Sequence, residues 1–121
     1  MDLPEALRPG LEGARAHVVE GPLLTRHVGG EGVFATPAMI GLMENLSHET
    51  IAAHLGDGLT TVGYEVHVRH VAPAEPGSTV NVSVRVAEVS GNKVLFEVAC
   101  HEGARLIGEG IHRRAVVPRR G

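Results

Sequence analysis

Two stretches of alternating apolar and polar residues dominate the second half of the chain. Apolar side chains recur at every second position over residues 80–86 and again over residues 94–100. This alternation is typical of strands with one buried face, and the Ser-Gly-Asn-Lys segment at 90–93 predicts a hairpin turn between them. A turn at 102–104 leads to a last predicted strand over 106–117, which Gly108 and Gly110 interrupt. Nearer the start, short strand patterns cover 16–19 and 23–27, with a break at Gly21 and Pro22.

A different pattern between these regions predicts a helix. Thr36 and Pro37 form a start signal, a capping residue followed by proline at the first helical position, and glycines at 56 and 58 predict the end. The apolar residues of the segment surround the helix axis instead of forming one stripe, which predicts a buried helix. They are Ala38, Met39, Ile40, Leu42, Met43, Leu46, Ile51, Ala52, Ala53 and Leu55.

Glu44 is a carboxylate in the middle of this apolar helix. It lies on the same row as Ile40 and Ile51, four residues after the one and seven before the other. Two interpretations are open. Glu44 either has a chemical role, or it belongs to a narrow solvent-facing strip together with Asn45, Ser47, His48 and Glu49.

The segment 61–70 alternates like a strand and carries a histidine on its apolar side. Alternation puts His70 on the same face as Val62, Tyr64, Val66 and Val68, while Glu65, His67 and Arg69 share the opposite face. A buried imidazole needs a partner. His70 is therefore either a core histidine bonded to a backbone carbonyl or a functional group.

The order of elements predicts the fold. An apolar helix can be buried in a protein of 121 residues only if a sheet curls around it. A strand, one helix and then four strands indicate an α+β hotdog fold, a curved antiparallel sheet wrapped around one long central helix, as a single domain over residues 1–121.

Composition narrows the function. A net charge of −3 and only three aromatic residues do not favour nucleic-acid binding. No apolar run approaches the roughly 20 residues that span a bilayer, and residues 1–10 lack the apolar stretch of a signal peptide. Cys100 is the only cysteine; we expect it to pack as a small hydrophobe and expect a cytoplasmic protein, because a single thiol fits a reducing compartment.

The histidines do not predict a metal site. His67 and His70 point to opposite faces of their strand, and His48, four residues after Glu44, has no second pair of ligands nearby. We expect neither a metal nor another cofactor. The G-x-S-x-G elbow of serine hydrolases is also absent from the sequence.

Four stretches together resemble a known family. They are Val33-Phe34-Ala35-Thr36-Pro37, Leu42-Met43-Glu44, the strand from Thr61-Val62-Gly63 to Val68-Arg69-His70, and Leu106-Ile107-Gly108-Glu109-Gly110-Ile111-His112. In this order and spacing the chain, after about residue 15, resembles the fluoroacetyl-CoA thioesterase-like branch of the hotdog thioesterases. The resemblance implies an enzyme that hydrolyses an acyl-CoA thioester, works as a homodimer with sites at the subunit boundary, and uses Thr36, Glu44 and His70.

The resemblance also implies roles for other residues. The Gly63 amide would meet the thioester carbonyl, and Arg114 would correspond to a substrate-binding arginine near the last strand. Phe34 is a candidate wall of the acyl site, or else a hydrophobic staple at the helix entry. The basic group of Arg113, Arg114, Arg119 and Arg120 is either a solvated tail or a site for phosphates of a small ligand.

Helix geometry separates the candidate catalytic groups. Thr36 and Glu44 are about 12 Å apart along the axis at roughly 1.5 Å per residue, so a thioester with His70 beside it would fit between them. We assign Glu44 as nucleophile or base for a water, His70 as general base and acid, and Thr36 as an orienting group or simply a helix cap. The alternatives are a hotdog protein that only binds acyl-CoA, or an enoyl-CoA hydratase, which would need an aspartate at the helix start.

Overall fold

The computed structural model describes residues 3–121; Met1 and Asp2, part of the segment considered for a signal peptide, lie outside the described residues. The elements in chain order are β1 (Glu12–Val18), a 3-10 helix (Gly21–Leu23), β2 (Leu24–Thr25), β3 (Val33–Phe34), α1 (Thr36–Ala52), β4 (Leu59–His70), β5 (Thr79–Ser90), β6 (Lys93–Glu102) and β7 (Arg105–Pro118). Within residues 3–121, no helix has the length and apolar character needed to cross a membrane.

Five strands form one antiparallel sheet in the order β1-β5-β6-β7-β4, and α1 packs against it. β2 and β3 pair separately, just before the helix begins. The predicted α+β arrangement of a curved antiparallel sheet with one long helix is confirmed. Because β4 is the last strand in the sheet order, one of its edges carries no neighbouring strand among the described residues.

The core lies between α1 and the inner faces of β5 and β6. The predicted alternation on both strands is confirmed, and their inward side chains are all buried. They are Val80, Val82, Val84, Val86, Val94, Phe96, Val98 and Cys100. The hairpin at 90–93 is also confirmed, with Gly91 at φ 60°, and burial raises the pKa of the Cys100 thiol to about 11. Cys100 therefore packs as the small hydrophobe that the sequence predicts.

The glycine at position 108 lets the helix approach the sheet closely. A Cβ at Gly108 would meet the sulfur and terminal methyl group of Met39, which is fully buried on α1. This contact sets the distance between the first turns of α1 and strand β7. The N-terminal end of α1, and with it Thr36, is thereby held close to the end of β4.

The strands near the N-terminus differ from the prediction. β1 begins at Glu12, four residues before the predicted start, and β2 covers only Leu24–Thr25 of the predicted strand over 23–27. β1 pairs residue by residue with β5, from Glu12 opposite Arg85 to Val18 opposite Thr79. Its extent is set by this partner, and its residues are mostly exposed, so no clear alternation marks its true start.

The predicted cap of the helix is one residue out of place. Ala35 is the N-cap residue, Thr36 is already helical, and no side chain caps the helix start. The helix ends at Ala52 instead of Leu55. Thr36 does not serve as a cap because its hydroxyl bonds elsewhere, as described below.

A bulge in β4 places the residues of the first half of the strand on the faces opposite to those predicted. The register with β7 shifts between Gly63 and Glu65, so Tyr64 is an extra residue in the strand. Thr61 is buried as a result, whereas Val62 and Tyr64 are 49% and 48% exposed. The prediction that Val62 and Tyr64 share the inner face with His70 is therefore wrong. The extra residue reverses the alternation. Odd-numbered residues therefore point inward before the bulge, and even-numbered residues point inward after it.

Candidate active site

Thr36 and His70 meet at the start of α1. Thr36 Oγ1 lies 2.7 Å from Nδ1 of His70, the last residue of β4. The other ring nitrogen, Nε2, is buried and has no hydrogen-bond partner among residues 3–121. His70 is thus held by one nitrogen and has the second free. This is not the backbone-bonded core histidine that was the alternative interpretation.

A cleft lies beside this pair. It has a volume of about 320 Å³ and is lined by Thr25, Val33, Phe34, Thr36, His70, Val71, Ala72 and Pro73. The ring of Phe34, 1% exposed, meets the imidazole of His70 edge to face with 5.9 Å between ring centres. An apolar wall and a free imidazole therefore border the same small space.

Glu44 points toward β4 and β7 from the third turn of α1. A Cβ built on Gly63 would lie 3.1 Å from Glu44 Oε2, 3.0 Å from Arg114 Nη1 and 2.9 Å from His112 Cε1. All three distances are shorter than ordinary Cβ contacts. A side chain at position 63 would therefore push these three groups apart by a few tenths of an ångström, and glycine lets them converge. The Glu44 side chain remains 40% exposed, so solvent reaches the carboxylate.

Arg114 is buried beneath Glu44. Its Nε donates to Thr61 Oγ1 at 2.7 Å, and its Nη2 donates to the Thr61 carbonyl at 3.1 Å. Burial lowers the pKa of this guanidinium, and the nearby Glu44 carboxylate raises it. Nη1 lies 4.0 Å from Glu44 Oε2, longer than a direct hydrogen bond. A buried cation is costly unless its donors are bonded, and here the bonds to Thr61 supply much of that compensation.

His112 forms the other side of the Arg114 site. Its Nδ1 lies 2.9 Å from the Glu65 carbonyl oxygen, and its Nε2 lies 3.2 Å from Arg114 Nη1. Burial lowers the pKa of His112, the bond to the Glu65 carbonyl raises it, and Arg114 lowers it further. A third histidine, His48 on α1, lies with its Nδ1 3.0 Å from Thr61 Oγ1. One connected polar network thus joins α1, β4 and β7.

The structure brings most of the predicted site residues into two groups. Thr36, His70 and Phe34 form the first at the start of α1, and Glu44, Gly63 and Arg114 form the second two turns farther along. Both groups lie on the side of the helix that faces β4. The solvent-facing strip proposed around Glu44 is present only in part. Ser47 is fully buried and His48 bonds to Thr61, whereas Asn45 and Glu49 are exposed.

The predicted basic group does not exist as a cluster. Strand alternation turns Arg113 outward, where it pairs with Glu65 at 3.1 Å, while Arg114 is 7% exposed. Arg119 donates to the Asp57 carbonyl, and Arg120 is exposed. In the part of the chain that the structure describes, no group of three histidine, cysteine, aspartate or glutamate side chains is placed to hold a metal.

His112 and Thr61 also belong to the site, and neither was predicted from the sequence. His112 is two residues before Arg114 on β7, so both share a face. Two polar residues that alternate in step with the apolar Val116 are unusual on a buried face, and this pattern was enough to identify His112. Thr61 gave no such signal, because the bulge at Tyr64 made it look outward-facing.

Comparison with known proteins supports one family. The family model for fluoroacetyl-CoA-specific thioesterases matches residues 19–120. A fluoroacetyl-CoA thioesterase of Streptantibioticus cattleyicolor is 39% identical over 85 residues, which are 70% of this chain and 61% of that protein. The match therefore spans less than two thirds of that relative's length.

Solved structures give the same result for the fold. A variant of the fluoroacetyl-CoA-specific thioesterase FlK, in complex with fluoroacetate and CoA, superposes with a TM-score of 0.81 at 34% identity, over 91% of this chain and 94% of that one. A hot-dog-like protein from Thermanaerovibrio acidaminovorans gives 0.88 at 26% identity, over 98% and 89%. The predicted hotdog fold is confirmed.

Proposed function

Because this chain belongs to the fluoroacetyl-CoA-specific thioesterase family, we propose that it hydrolyses a short-chain or medium-chain acyl-CoA thioester to the free acid and CoA. The observation that carries the proposal is the contact of Thr36 Oγ1 with His70 Nδ1 at 2.7 Å. It leaves the buried Nε2 without a partner among residues 3–121, and His70 lines the same cleft as Phe34. A ring nitrogen in that state is ready to exchange a proton with a bound substrate.

Thr36 is compatible with either tautomer of His70. A hydroxyl both donates and accepts, so Thr36 can accept from a protonated Nδ1 or donate to an unprotonated one. In the first case Nε2 is a base, and in the second it carries a proton to donate. The pair therefore supports both halves of a hydrolysis, removal of a proton from the attacking group and delivery of a proton to the leaving thiolate.

Glu44 supplies the second catalytic group in this proposal. Its carboxylate either attacks the thioester carbon or takes a proton from a water that attacks it. In both routes a new carbon–oxygen bond forms, the carbon–sulfur bond breaks, and one water is consumed overall. The Gly63 amide would bond the carbonyl oxygen as it becomes negative. Arg114 Nη1, near the same oxygen, would add positive charge, and Phe34 would border the acyl group.

We propose that the enzyme is a homodimer built across β4. This strand has 12 residues and one edge with no neighbouring strand among residues 3–121, and an open edge of that length is unusual in a protein that remains monomeric. Val62 and Tyr64 on the strand are about half exposed, and apolar residues of this size favour burial. Pairing β4 with the same strand of a second copy would close the edge and cover both side chains. We further propose a cytoplasmic location, because Cys100 is a free buried thiol.

A panel of acyl-CoA substrates with a free-thiol readout tests the main proposal. Purified protein should release CoA from acyl chains of two to about ten carbons, with a maximum within that range. His70→Ala should lower the release by a factor on the order of a hundred or more and serve as the matched control for contaminating activity. Binding of acyl-CoA by calorimetry without any release of thiol would instead support the non-catalytic acyl-CoA-binding protein.

A further inference from the structure

The Arg114 guanidinium is held away from Glu44. Nη1 of Arg114 lies 4.0 Å from Oε2 of Glu44. Charge-assisted hydrogen bonds between these groups normally measure about 2.7–2.9 Å. The same Nη1 is instead 3.2 Å from His112 Nε2. Arg114, which is 7% exposed, thus stops short of contact with the partly exposed Glu44 carboxylate, and His112 accepts a hydrogen bond from Nη1.

The hydrogen bonds of His112 fix which ring nitrogen carries the proton. Nδ1 faces the Glu65 carbonyl oxygen at 2.9 Å, and a carbonyl only accepts, so Nδ1 must be the donor. Arg114 only donates, so Nε2 must be the acceptor and must lack a proton. The residue is 1% exposed, and burial lowers its pKa, which also favours the neutral ring. His112 is therefore a fixed acceptor for one Arg114 N–H.

Thr61 holds the opposite side of the guanidinium. Its hydroxyl and carbonyl oxygens accept from Nε and Nη2, so Arg114 is bonded at all three nitrogens without using Glu44. Gly63 keeps the space between the carboxylate and the guanidinium open, since a Cβ there would touch both. The carboxylate keeps its oxygens available for a substrate or water, while the positive charge stays near.

We propose that His112 is a positioning residue that holds the Arg114 guanidinium short of a contact ion pair with Glu44. The proposal rests on the proposed function, because it concerns the carboxylate to which a catalytic role is assigned. A contact ion pair would engage one carboxylate oxygen and lower its nucleophilicity and basicity. The bond from Arg114 to His112 prevents this loss.

The ionisable groups around Glu44 come from two elements. Its own helix brings His48 one turn later, and β7 brings His112 and Arg114. β4 brings Thr61 and Gly63, which do not ionise, while the Glu65 carboxylate turns outward to Arg113 and His67. A change at His112 therefore acts on Glu44 mainly through Arg114.

His112→Phe tests the proposal, because it keeps the ring volume and removes the acceptor. Arg114 should then close on Glu44, and kcat should fall by about tenfold to a hundredfold with a smaller change in KM. A crystal structure of the variant should show Arg114 Nη1 within about 2.7–2.9 Å of Glu44 Oε2, the length of a charge-assisted hydrogen bond. A merely structural role would reduce the amount of folded protein without forming that contact and without separating the change in kcat from the change in KM.

Three controls make the test specific. His112→Gln places an amide oxygen where Nε2 was, and should restore most of kcat and the open distance between Arg114 and Glu44. His101→Phe makes the same replacement on β6, outside the network, and should leave both unchanged. In an Arg114→Gln background, His112→Phe should cause no additional loss of kcat, as a double-mutant cycle requires. An Arg114–Glu44 distance that stays at the wild-type 4.0 Å in folded His112→Phe, or an equal loss of kcat without Arg114, would overturn the proposal.

Nitrogen-15 NMR of the wild-type protein gives an answer that does not depend on activity or on a variant folding. His112 should be neutral at pH 7 with the proton on Nδ1. A protonated Nε2 would remove the acceptor and overturn the proposal. If the wild-type protein released no CoA from any acyl-CoA, the proposed function would fail, while the NMR result would still decide whether His112 accepts from Arg114.

Discussion

Thr36 and His70 are 34 residues apart in the chain, yet Thr36 Oγ1 lies 2.7 Å from His70 Nδ1. The threonine is the first residue of α1 and the histidine is the last residue of β4. The contact therefore depends on how the helix is placed on the sheet, which the close packing of Met39 against Gly108 helps to fix. Its consequence is a histidine with a set orientation and one free nitrogen.

Replacement of the candidate catalytic side chains should reduce turnover. His70→Ala and Glu44→Gln should each lower kcat by a factor on the order of a hundred or more, because each removes a proton-transfer or nucleophilic group. Thr36→Ser should be mild because the hydroxyl remains, whereas Thr36→Val should approach the loss seen for His70→Ala. Steady-state kinetics with the best acyl-CoA of the panel measures these effects.

His67→Ala is the control for that series. Its side chain is 65% exposed and bonds only to Glu65, on the opposite face of β4 from His70. We expect kcat within about twofold of wild type. An essential His67 together with a dispensable His70 would contradict the assignment of the inner face of this strand.

Gly63→Ala should impair activity more than folding. The added methyl group would lie 2.9–3.1 Å from His112, Arg114 and Glu44, so these side chains must move apart. The displacement needed is a few tenths of an ångström, less than the ångström that costs roughly a hundredfold in rate, so we expect kcat/KM to fall by about tenfold. Gly58→Ala, where nothing lies within 4 Å of the added atom, is the matched control and should behave like wild type.

Selectivity for fluoroacetyl-CoA over acetyl-CoA should be small. Differences of one atom in an apolar pocket are usually worth about 1–3 kcal/mol, so strong selection needs a rigid enclosure. The segment before β3 contains Gly29, Gly30 and Gly32, all at positive φ, and Val28 beside them is 69% exposed. The ratio of kcat/KM for the two substrates measures this. A preference above about a thousandfold for the fluorinated substrate would mean that this segment closes over the site when the substrate binds.

Stability should decrease on mild acidification because of His112. Burial lowers its pKa in the folded protein below the value of about 6.5 in the unfolded chain, so the unfolded state binds more protons in that window. The free energy of unfolding should therefore fall as the pH drops below about 6.5, and level off below the folded-state pKa. Urea unfolding at several pH values, with His112→Gln for comparison, measures this contribution.

His17 should also make the free energy of unfolding fall on acidification, since burial and Arg15 lower its pKa. The pH dependence should therefore be weakened in His112→Gln without disappearing. An equal or steeper slope in that variant would contradict the buried, neutral state of His112.

Dimer formation should depend on β4. We expect sedimentation equilibrium to show a dimer at micromolar concentration, because the strand edge and two half-exposed apolar side chains need cover. Val62→Lys combined with Tyr64→Lys should shift the protein toward monomer and reduce activity with it. Val18→Lys, an exposed valine on β1 at the other edge of the sheet, is the control. A monomeric wild-type protein would contradict both the dimer and the site at the subunit boundary.

The sequence by itself determined the long helix, the long strands after it and the two most unusual side chains. Alternation along β5 and β6 and the apolar helix were enough to predict the curved sheet around one helix, because the burial of each side chain follows from the local period. Glu44 and His70 were found in the same way, as polar residues at positions where that period requires apolar ones. The resemblance to a family then added Thr36, Gly63 and Arg114.

The tertiary structure decided the contacts among these residues. The bulge at Tyr64 turned Thr61 inward and Val62 outward, and the register of β4 with β7 placed His112 and Arg114 beneath Glu44. Periodicity describes only the face on which a side chain lies within its own element. Which side chains meet depends on strand register, bulges and the position of the helix on the sheet. These are set by packing between segments far apart in the chain, and no local pattern records them.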